Sequence, residues 1–270
     1  MTLAVKKVVA CVSGKGGTGK SLLAANIAYA LEHRGQEVGI LDCDIRSPNI
    51  TCILGIGDNI ELEQATDGRS IVRRLWGDIF IMSSGLLARN YRAATPTGDQ
   101  VSAFLNQAVN NFIWPKDLDC LVLDMDPSAG DSMKAIHQMF RGKLEFVIIS
   151  SSDVSSLSDC QRMIQACQNK KIPIVGIVAN MVGSECPVCS HTIICDDCGQ
   201  VISFGDEEKV KRLADAKVIP YLGAIQFNPA IKERTDHGDP ILRNMNVIDK
   251  ILERINASNG SASQVSSNVA

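Results

Sequence analysis

No stretch of this 270-residue chain restricts its fold as tightly as CVSGKGGTGKS, Cys11–Ser21, which packs four glycines and two lysines directly after an apolar run. The run before it, KKVVACVS (Lys6–Ser13), reads as a buried strand, and SLLAANIAYALEHRG after it reads as a helix closed by Gly35. In that frame GKGGTGKS (Gly14–Ser21) satisfies the G-x-x-x-x-G-K-[ST] spacing of a phosphate-binding loop. The glycines Gly14, Gly16, Gly17 and Gly19 let successive backbone N–H groups, with those of Lys15 and Thr18, turn inward around phosphate oxygens. Lys20 is placed to neutralise the β- and γ-phosphates, the helix N-terminus adds its dipole, and Ser21 is the expected Mg²⁺ ligand. Lys15 has no role in that spacing. It is either a solvated charge or a cation intended for a nucleotide on another subunit.

The rest of the chain repeats the same strand-then-helix rhythm. EVGILDCD (Glu37–Asp44), DIFIMSS (Asp78–Ser84), DCLVLDMD (Asp119–Asp126), EFVIISSSD (Glu145–Asp153), IPIVGIVANM (Ile172–Met181) and VIPYLGAI (Val218–Ile225) are short apolar runs of the kind buried on both faces. The alternation predicts an α/β fold, a doubly wound and mostly parallel sheet with helices on both faces. One domain is expected over residues 1–255, interrupted by an insertion at 183–205, with 256–270 (NASNGSASQVSSNVA) polar, aperiodic and without order. Between Gly55 and Trp76 the pattern assigns no element, and no internal repeat is evident.

Two carboxylate positions complete the phosphate site. Asp124 closes the apolar strand CLVLD, where an aspartate holds magnesium through water. Asp42 and Asp44 end GILDCD at the carboxyl edge of the sheet, where ligands of such folds bind; strand alternation would point both toward the phosphates. A turn or capping role is the alternative for each, weighing more on Asp42 than on Asp44.

At these loops the chain resembles the MinD/ParA superfamily with its deviant phosphate loop. Within it, LDCDIRSPNI, VLDMDPSAGD, GIVANM followed by CPVC, and VIPYLGAIQFNPAIKERTDHGDPI resemble the Mrp/ApbC family of iron–sulfur cluster carrier ATPases. The resemblance covers most of Val5–Ile255 and implies a nucleotide-sandwich homodimer. It makes Lys15 the lysine that reaches the partner's phosphates, Asp44 the switch I aspartate that positions the attacking water and shares in the Mg²⁺ site, and Asn180 the residue that reads adenine. Catalysis would rest on Lys15, Lys20 and Asp44, with Ser21, Asp44 and Asp124 around magnesium. The chain departs from the family at DMDPSAGD (Asp124–Asp131), where Asp126, Ser128 and Ala129 replace the usual residues. An extra carboxylate beside the γ-phosphate predicts slow turnover. The Trp-Arg-Gly-Pro stretch of many relatives has no counterpart in RNYRAATPTGDQ.

Of ten cysteines, six are scattered in mainly apolar surroundings and four form CPVCSHTIICDDC. The spacing C-x2-C-x5-C-x2-C at Cys186, Cys189, Cys195 and Cys198 suits tetrahedral Zn²⁺ or an iron–sulfur cluster. His191 is expected to be a loop residue, and Cys160 and Cys167 to share the core face of a helix. The family resemblance implies one CxxC per subunit holding a shared [4Fe–4S] cluster, so one pair here is a duplicate. Two outcomes stay open: bridging of clusters between subunits, or a tight hairpin that gathers all four sulfurs in one chain around zinc.

A net charge of −3 gives no cause to expect a nucleic acid, and no apolar stretch reaches the roughly 20 residues of a membrane span. Without a leader pattern the chain reads as cytoplasmic. A MinD- or ParA-like positioning protein would need a membrane-seeking terminus or a basic face; VIDKILERI (Val247–Ile255) is short and only mildly charged. An electron donor like the nitrogenase iron protein would need a cysteine after the Asp124 strand, and DMDPSAGD has none. The expectation is therefore an ATP-hydrolysing homodimer that carries an iron–sulfur cluster to apo-proteins, with a zinc-stabilised ATPase adaptor as the alternative.

Overall fold

The apolar runs become neighbouring strands of one sheet. The computed structural model describes residues 3–57, 60, 63–87, 97–127, 130–189 and 191–265. The seven expected strands are β1 (Val5–Val12), β2 (Val38–Asp42), β4 (Ile79–Met82), β5 (Leu118–Asp124), β6 (Leu144–Ser150), β7 (Ile174–Val182) and β8 (Tyr221–Gln226). An eighth, β3 (Arg73–Trp76), lies in the region to which the sequence assigned nothing. Their order is β3-β4-β2-β5-β1-β6-β7-β8, and every pairing is parallel except β3 with β4.

Helices cover both faces. Alternation along each strand divides its side chains between them: Val8, Ala10 and Val12 of β1 enter one core, and Val9 and Cys11 enter the other. The first core is closed by α3 (Gly98–Asn110), α4 (Gly130–Met139), α5 (Val154–Asn169) and α6 (Glu207–Lys217). The second is closed by α1 (Lys20–Glu32), α2 (Ile50–Ile53) and α8 (Asn246–Val265), with α7 (Pro229–Asp236) at its margin. Cys160 and Cys167 pack in the first core, as their helical spacing requires. Truncating a fully buried strand residue such as Ile148 to alanine would cost about 2–5 kcal/mol.

The sheet places β1 between β5 and β6. The loop after β1 therefore opens at the carboxyl edge, flanked by the ends of β5 and β6, where chain connections diverge and leave a crevice. Two expectations need correction. Helix α8 continues to Val265, through most of the segment read as lacking order. Once Val247, Ile248, Ile251, Leu252 and Ile255 have packed on the sheet, extending the helix adds a bond per residue without a new nucleation step; residues 266–270 lie outside the described ones. Strand β2 ends at Asp42, not Asp44, so alternation does not carry across the second carboxylate.

Candidate functional site: a phosphate crevice and a thiol-bearing insertion

Gly14–Ser21 links β1 to α1 as a tight loop. Gly19 has φ +94°, and a Cβ there would lie 2.3 Å from Asn180 Nδ2; a Cβ on Gly14 would lie 2.1 Å from Asp159 Cβ. Helix α1 begins at Lys20 with no side-chain cap and no acidic residue in its first turn. By contrast α5, α6 and α7 are capped by Asp153, Asp206 and Asn228. The α1 N–H groups are thus left without a side-chain partner at the mouth of the crevice, as a phosphate site requires.

Around the loop lies a cavity of about 670 Å³ lined by Gly17, Lys20, Ser21, Asp44, Asp124 and Asp126, among others. Lys20 Nζ is buried and donates to Ser13 Oγ at 3.2 Å; Ser13 Oγ donates to the Lys15 carbonyl at 2.7 Å. Asp124 is buried, and its Oδ1 has no hydrogen-bond partner. Burial raises its pKa to about 7, opposed by a hydrogen bond from Ser21 and the charge of Lys20, and reinforced by Asp44. A buried carboxylate oxygen without a partner, beside a serine hydroxyl, is a donor set that fits Mg²⁺. Asp44 Oδ1 accepts the Ser47 N–H at 3.0 Å, and burial raises its pKa.

Asp42 does not join the crevice lining described. It accepts N–H groups from Asp44 at 3.0 Å and Ile50 at 3.3 Å and the Ser83 hydroxyl at 3.0 Å, pinning the loop that presents Asp44. Asp126, the departure from the family pattern, does line the cavity. Its Oδ1 accepts the Ser132 hydroxyl at 2.6 Å, and its Oδ2 lies 3.4 Å from Arg46 Nη1. Sequence reasoning did not single out Arg46 or Ser132. The signal was available: Arg46 stands two residues after Asp44 in DIRSPN. Ser128 and Ala129 lie outside the described residues, as does most of the RNYRAATPTGDQ stretch.

Lys15 is turned away from that cavity. Its Nζ donates to Ser155 Oγ at 3.1 Å and lies 3.4 Å from Asp153 Oδ1 at the start of α5. Hydrogen bonds from Ser151, Ser155 and the Ser156 N–H hold Asp153 well below the usual carboxylate range, so the lysine has an anion to rest on. Asn180 on β7 donates through Nδ2 to the Thr18 carbonyl at 2.7 Å and braces the loop. Beside it on β8, Ile225 and Gln226 border a second cavity of about 300 Å³ that Asn228, Ile231 and Arg234 also line.

The insertion begins where β7 ends. It is closed at its base by Gly183 N–H to Gly205 O at 3.1 Å and Phe204 N–H to Gly183 O at 2.9 Å. Cys186 N–H reaches His191 O at 2.9 Å, and Cys195 N–H reaches Gln200 O at 2.8 Å, so each CxxC sits in its own turn. The Cys186 sulfur accepts N–H groups from Cys189 and Val188 and the thiol of Cys189; the Cys195 sulfur accepts the same set from Cys198 and Asp197. These bonds lower both thiol pKa values from the ordinary 9.0, which favours the thiolate that binds metal. Among the described residues no group of three or more Cys, His, Asp or Glu gathers to hold a metal, so the four sulfurs do not converge within the chain. His191 serves through its carbonyl, as a loop residue.

A phosphate loop with an uncapped α1, a magnesium-competent Asp124 and this strand order define a P-loop NTPase of the MinD/ParA type. The match is specific: a family model described as "ParA: NUBPL iron-transfer P-loop NTPase" covers residues 4–258, and the chain belongs to that family of iron–sulfur cluster assembly factors and carriers. A cytosolic Fe–S cluster assembly factor, a NUBP2 homolog of Trichoplax adhaerens, is 34% identical over 238 residues, covering 87% of this chain and 86% of the relative. An iron–sulfur cluster carrier protein of Methanocaldococcus jannaschii is 31% identical over 241 residues, 88% of this chain and 78% of that one. Among solved structures, a nucleotide-binding protein of Archaeoglobus fulgidus in complex with ADP superimposes with a TM-score of 0.66 at 23% identity, over 87% of this chain and 88% of that one. MinD of Pyrococcus horikoshii with Mg-ADP gives 0.60 at 17% identity, over 96% and 98%, and supports the fold alone. No helix among the described residues is long and apolar enough to cross a membrane.

Proposed function

We propose that this chain is an ATP-hydrolysing homodimer that holds an iron–sulfur cluster on its CxxC turns and passes it to apo-proteins in the cytoplasm, the compartment named for several relatives. The observation that carries the reading is β7 itself. One strand braces the phosphate loop through Asn180 and, three residues later, opens into the thiol-bearing insertion. Nucleotide state and cargo grip thereby share one element.

ATP would place its phosphates over the Gly14–Ser21 loop against the α1 N-terminus, with the base toward the β8 cavity and Asn180. Lys20 holds the β- and γ-phosphates. Magnesium, held by Ser21 and through Asp124 and Asp44, would draw charge from the phosphate oxygens. Asp44, fixed by Ser47, orients the water that attacks the γ-phosphorus as the bond to the ADP oxygen breaks. Lys15 swings from Asp153 to the partner's phosphates, so hydrolysis awaits a dimer. A cation delivered in trans stabilises charge that develops only in the transition state. The cluster, probed as [4Fe–4S], is cargo and takes its ligands from Cys186, Cys189, Cys195 and Cys198.

The test is anaerobic purification and reconstitution with iron and sulfide, followed by transfer to an apo-protein with and without Mg·ATP. The reading requires iron, acid-labile sulfide and a visible charge-transfer band that disappear when Cys186, Cys189, Cys195 and Cys198 are all replaced by serine, while nucleotide binding persists. Colourless protein holding zinc after reconstitution would overturn it in favour of the adaptor alternative.

A further inference from the structure

We propose that the insertion carries two half-sites, and that a second copy of the chain completes them into two separate tetrathiolate metal centres per dimer, not one. The inference deepens the reading above and rests on its thiolate-bound cargo and dimer.

The first observation is a local repeat, where the expectation was of none. ECPVCSHTI (185–193) and ICDDCGQVI (194–202) superpose at an offset of nine residues. Cys186 maps to Cys195, Cys189 to Cys198 and Ile193 to Ile202. The backbone obeys the same offset: the antiparallel bridges are Glu185↔Thr192 and Ile194↔Val201. In both units the first cysteine's N–H closes the turn onto the residue five positions on, and its sulfur accepts the N–H groups of the two residues ending the motif. Each unit is therefore a complete knuckle that aims two sulfurs at one point.

The second observation is that the two points are distinct. The segment between the pairs closes the first turn, through His191 O and Ile193 N–H, before the second turn opens at Cys195, and the sulfurs do not gather as a set of three or four within the chain. A soft tetrahedral metal needs four thiolate-type ligands, and each knuckle supplies two. A chain thus offers two incomplete centres, and a dimer offers ligands for two complete ones.

The third observation identifies the occupant. Among the described residues, five of the seven exposed large hydrophobics belong to this insertion: Val188 at 84%, Ile194 at 54%, Val201 at 53%, Ile202 at 50% and Phe204 at 64% exposure. Apolar side chains at this density around paired thiols mark a surface made to be covered. A second copy brings the missing thiolates and the same apolar set, which is what an isologous interface demands.

Cobalt(II) alone is the probe, since its thiolate charge-transfer and d–d bands report tetrathiolate coordination without iron, sulfide or ATP. Titration of the reduced full-length chain, followed by sedimentation, should saturate at about one Co²⁺ per chain in a dimer with tetrathiolate spectra. Cys195→Ser/Cys198→Ser should bind half that amount or less. Val188→Asp, which leaves every sulfur in place, should shift the loaded protein toward monomer. The proposal is overturned by saturation at half a cobalt per chain in the wild type, by a Cys195→Ser/Cys198→Ser variant that binds as much as wild type, or by one cobalt held per monomer. Because iron plays no part, failure of the cluster-carrier reading would leave this count standing, and the reverse also holds.

Discussion

The phosphate crevice and the cysteine insertion sit at opposite extremes of the same chain. In the crevice the functional groups are buried and cross-braced, within the loops by Lys20 on Ser13 and Asp42 on Ile50 and from remote segments by Asn180 on Thr18 and Asp42 on Ser83. In the insertion the bonds that close each cysteine turn are local, with Glu185 N–H to Phe227 O at 2.9 Å as its backbone tie to a remote segment, and the surroundings are exposed. Under the proposed function, the contrast follows from what each site would handle. Phosphoryl transfer needs fixed dipoles in a dry cavity, so its parts must be held by the core. A metal cargo that is given away must be reached by another protein, so its ligands stand outside the core on a part that closes on itself.

The largest effect that would sharpen this contrast concerns a phosphate-loop lysine whose side chain is turned out of the crevice. Lys15 rests half-exposed on Asp153 and Ser155. Lys15→Ala should lower ATP turnover by ~10²–10³-fold, the scale of losing one transition-state donor, with nucleotide affinity nearly unchanged. Steady-state turnover beside equilibrium binding of a fluorescent nucleotide checks this. Equal loss of both would mean that Lys15 serves its own chain's nucleotide.

Buried charge gives the next effect. Asp124 titrates at about 7 in the fold against an ordinary 3.8, because burial outweighs Ser21 and Lys20, and Asp44 adds repulsion. Asp42, its neighbour in the β2–β5 register, is raised as well, chiefly by burial. Between those two values the folded state holds more protons than the unfolded one. Stability of the metal- and nucleotide-free protein should therefore fall as pH rises from about 4 to 7, Asp124 alone losing ~1.4 kcal/mol for each pH unit crossed and Asp42 adding loss in the same direction. Asp124→Asn should flatten that slope, and Mg·ADP should offset the loss at pH 7. Urea unfolding at several pH values measures it.

The same contrast explains what the sequence disclosed. Strands buried on both faces read as continuous apolar runs, so β1, β2 and β4 to β8 were legible, and β1 with its loop located the crevice. Edge strand β3 was not, because RRLW opens with two exposed arginines and offers no apolar run; Arg74 pairs with Glu37 and Asp78 across exposed surface. The loop motif named Lys20 and Ser21, since their roles follow from spacing along a short local segment. What holds Lys15 was not legible, since Asp153 and Ser155 approach it from far along the chain. Nor could alternation distinguish Asp42 from Asp44 once the strand ended between them. The duplicated cysteine pair was legible, but its extension to a nine-residue repeat was hidden by the unequal side chains around the cysteines.

A smaller effect tests whether Asp126 impairs the crevice. Arg46 and Ser132 both engage its carboxylate, so much of its charge is already met before a nucleotide arrives. Asp126→Asn should tighten Mg·ATP binding only several-fold, about 1 kcal/mol, and Arg46→Ala should weaken it by more, because it leaves a buried carboxylate facing the γ-phosphate. If the asparagine variant gained a hundredfold, Arg46 would not be shielding Asp126.

The smallest expected effect is the one that would break the comparison if it turned out large. Replacing Cys186, Cys189, Cys195 and Cys198 together by serine removes no buried apolar group, since none of the four is buried. The N–H groups that meet sulfur remain able to meet a hydroxyl, and the bonds between Gly183, Phe204 and Gly205 that close the insertion involve no cysteine. Metal-free stability should stay within ~0.5 kcal/mol of wild type, as for other surface substitutions, and ADP affinity should not change. A fall of several kcal/mol in chemical denaturation would show that the insertion is bound into the core's cooperative unit. The local closure of its turns, on which the division between a braced crevice and an autonomous cargo arm depends, would then be the wrong description.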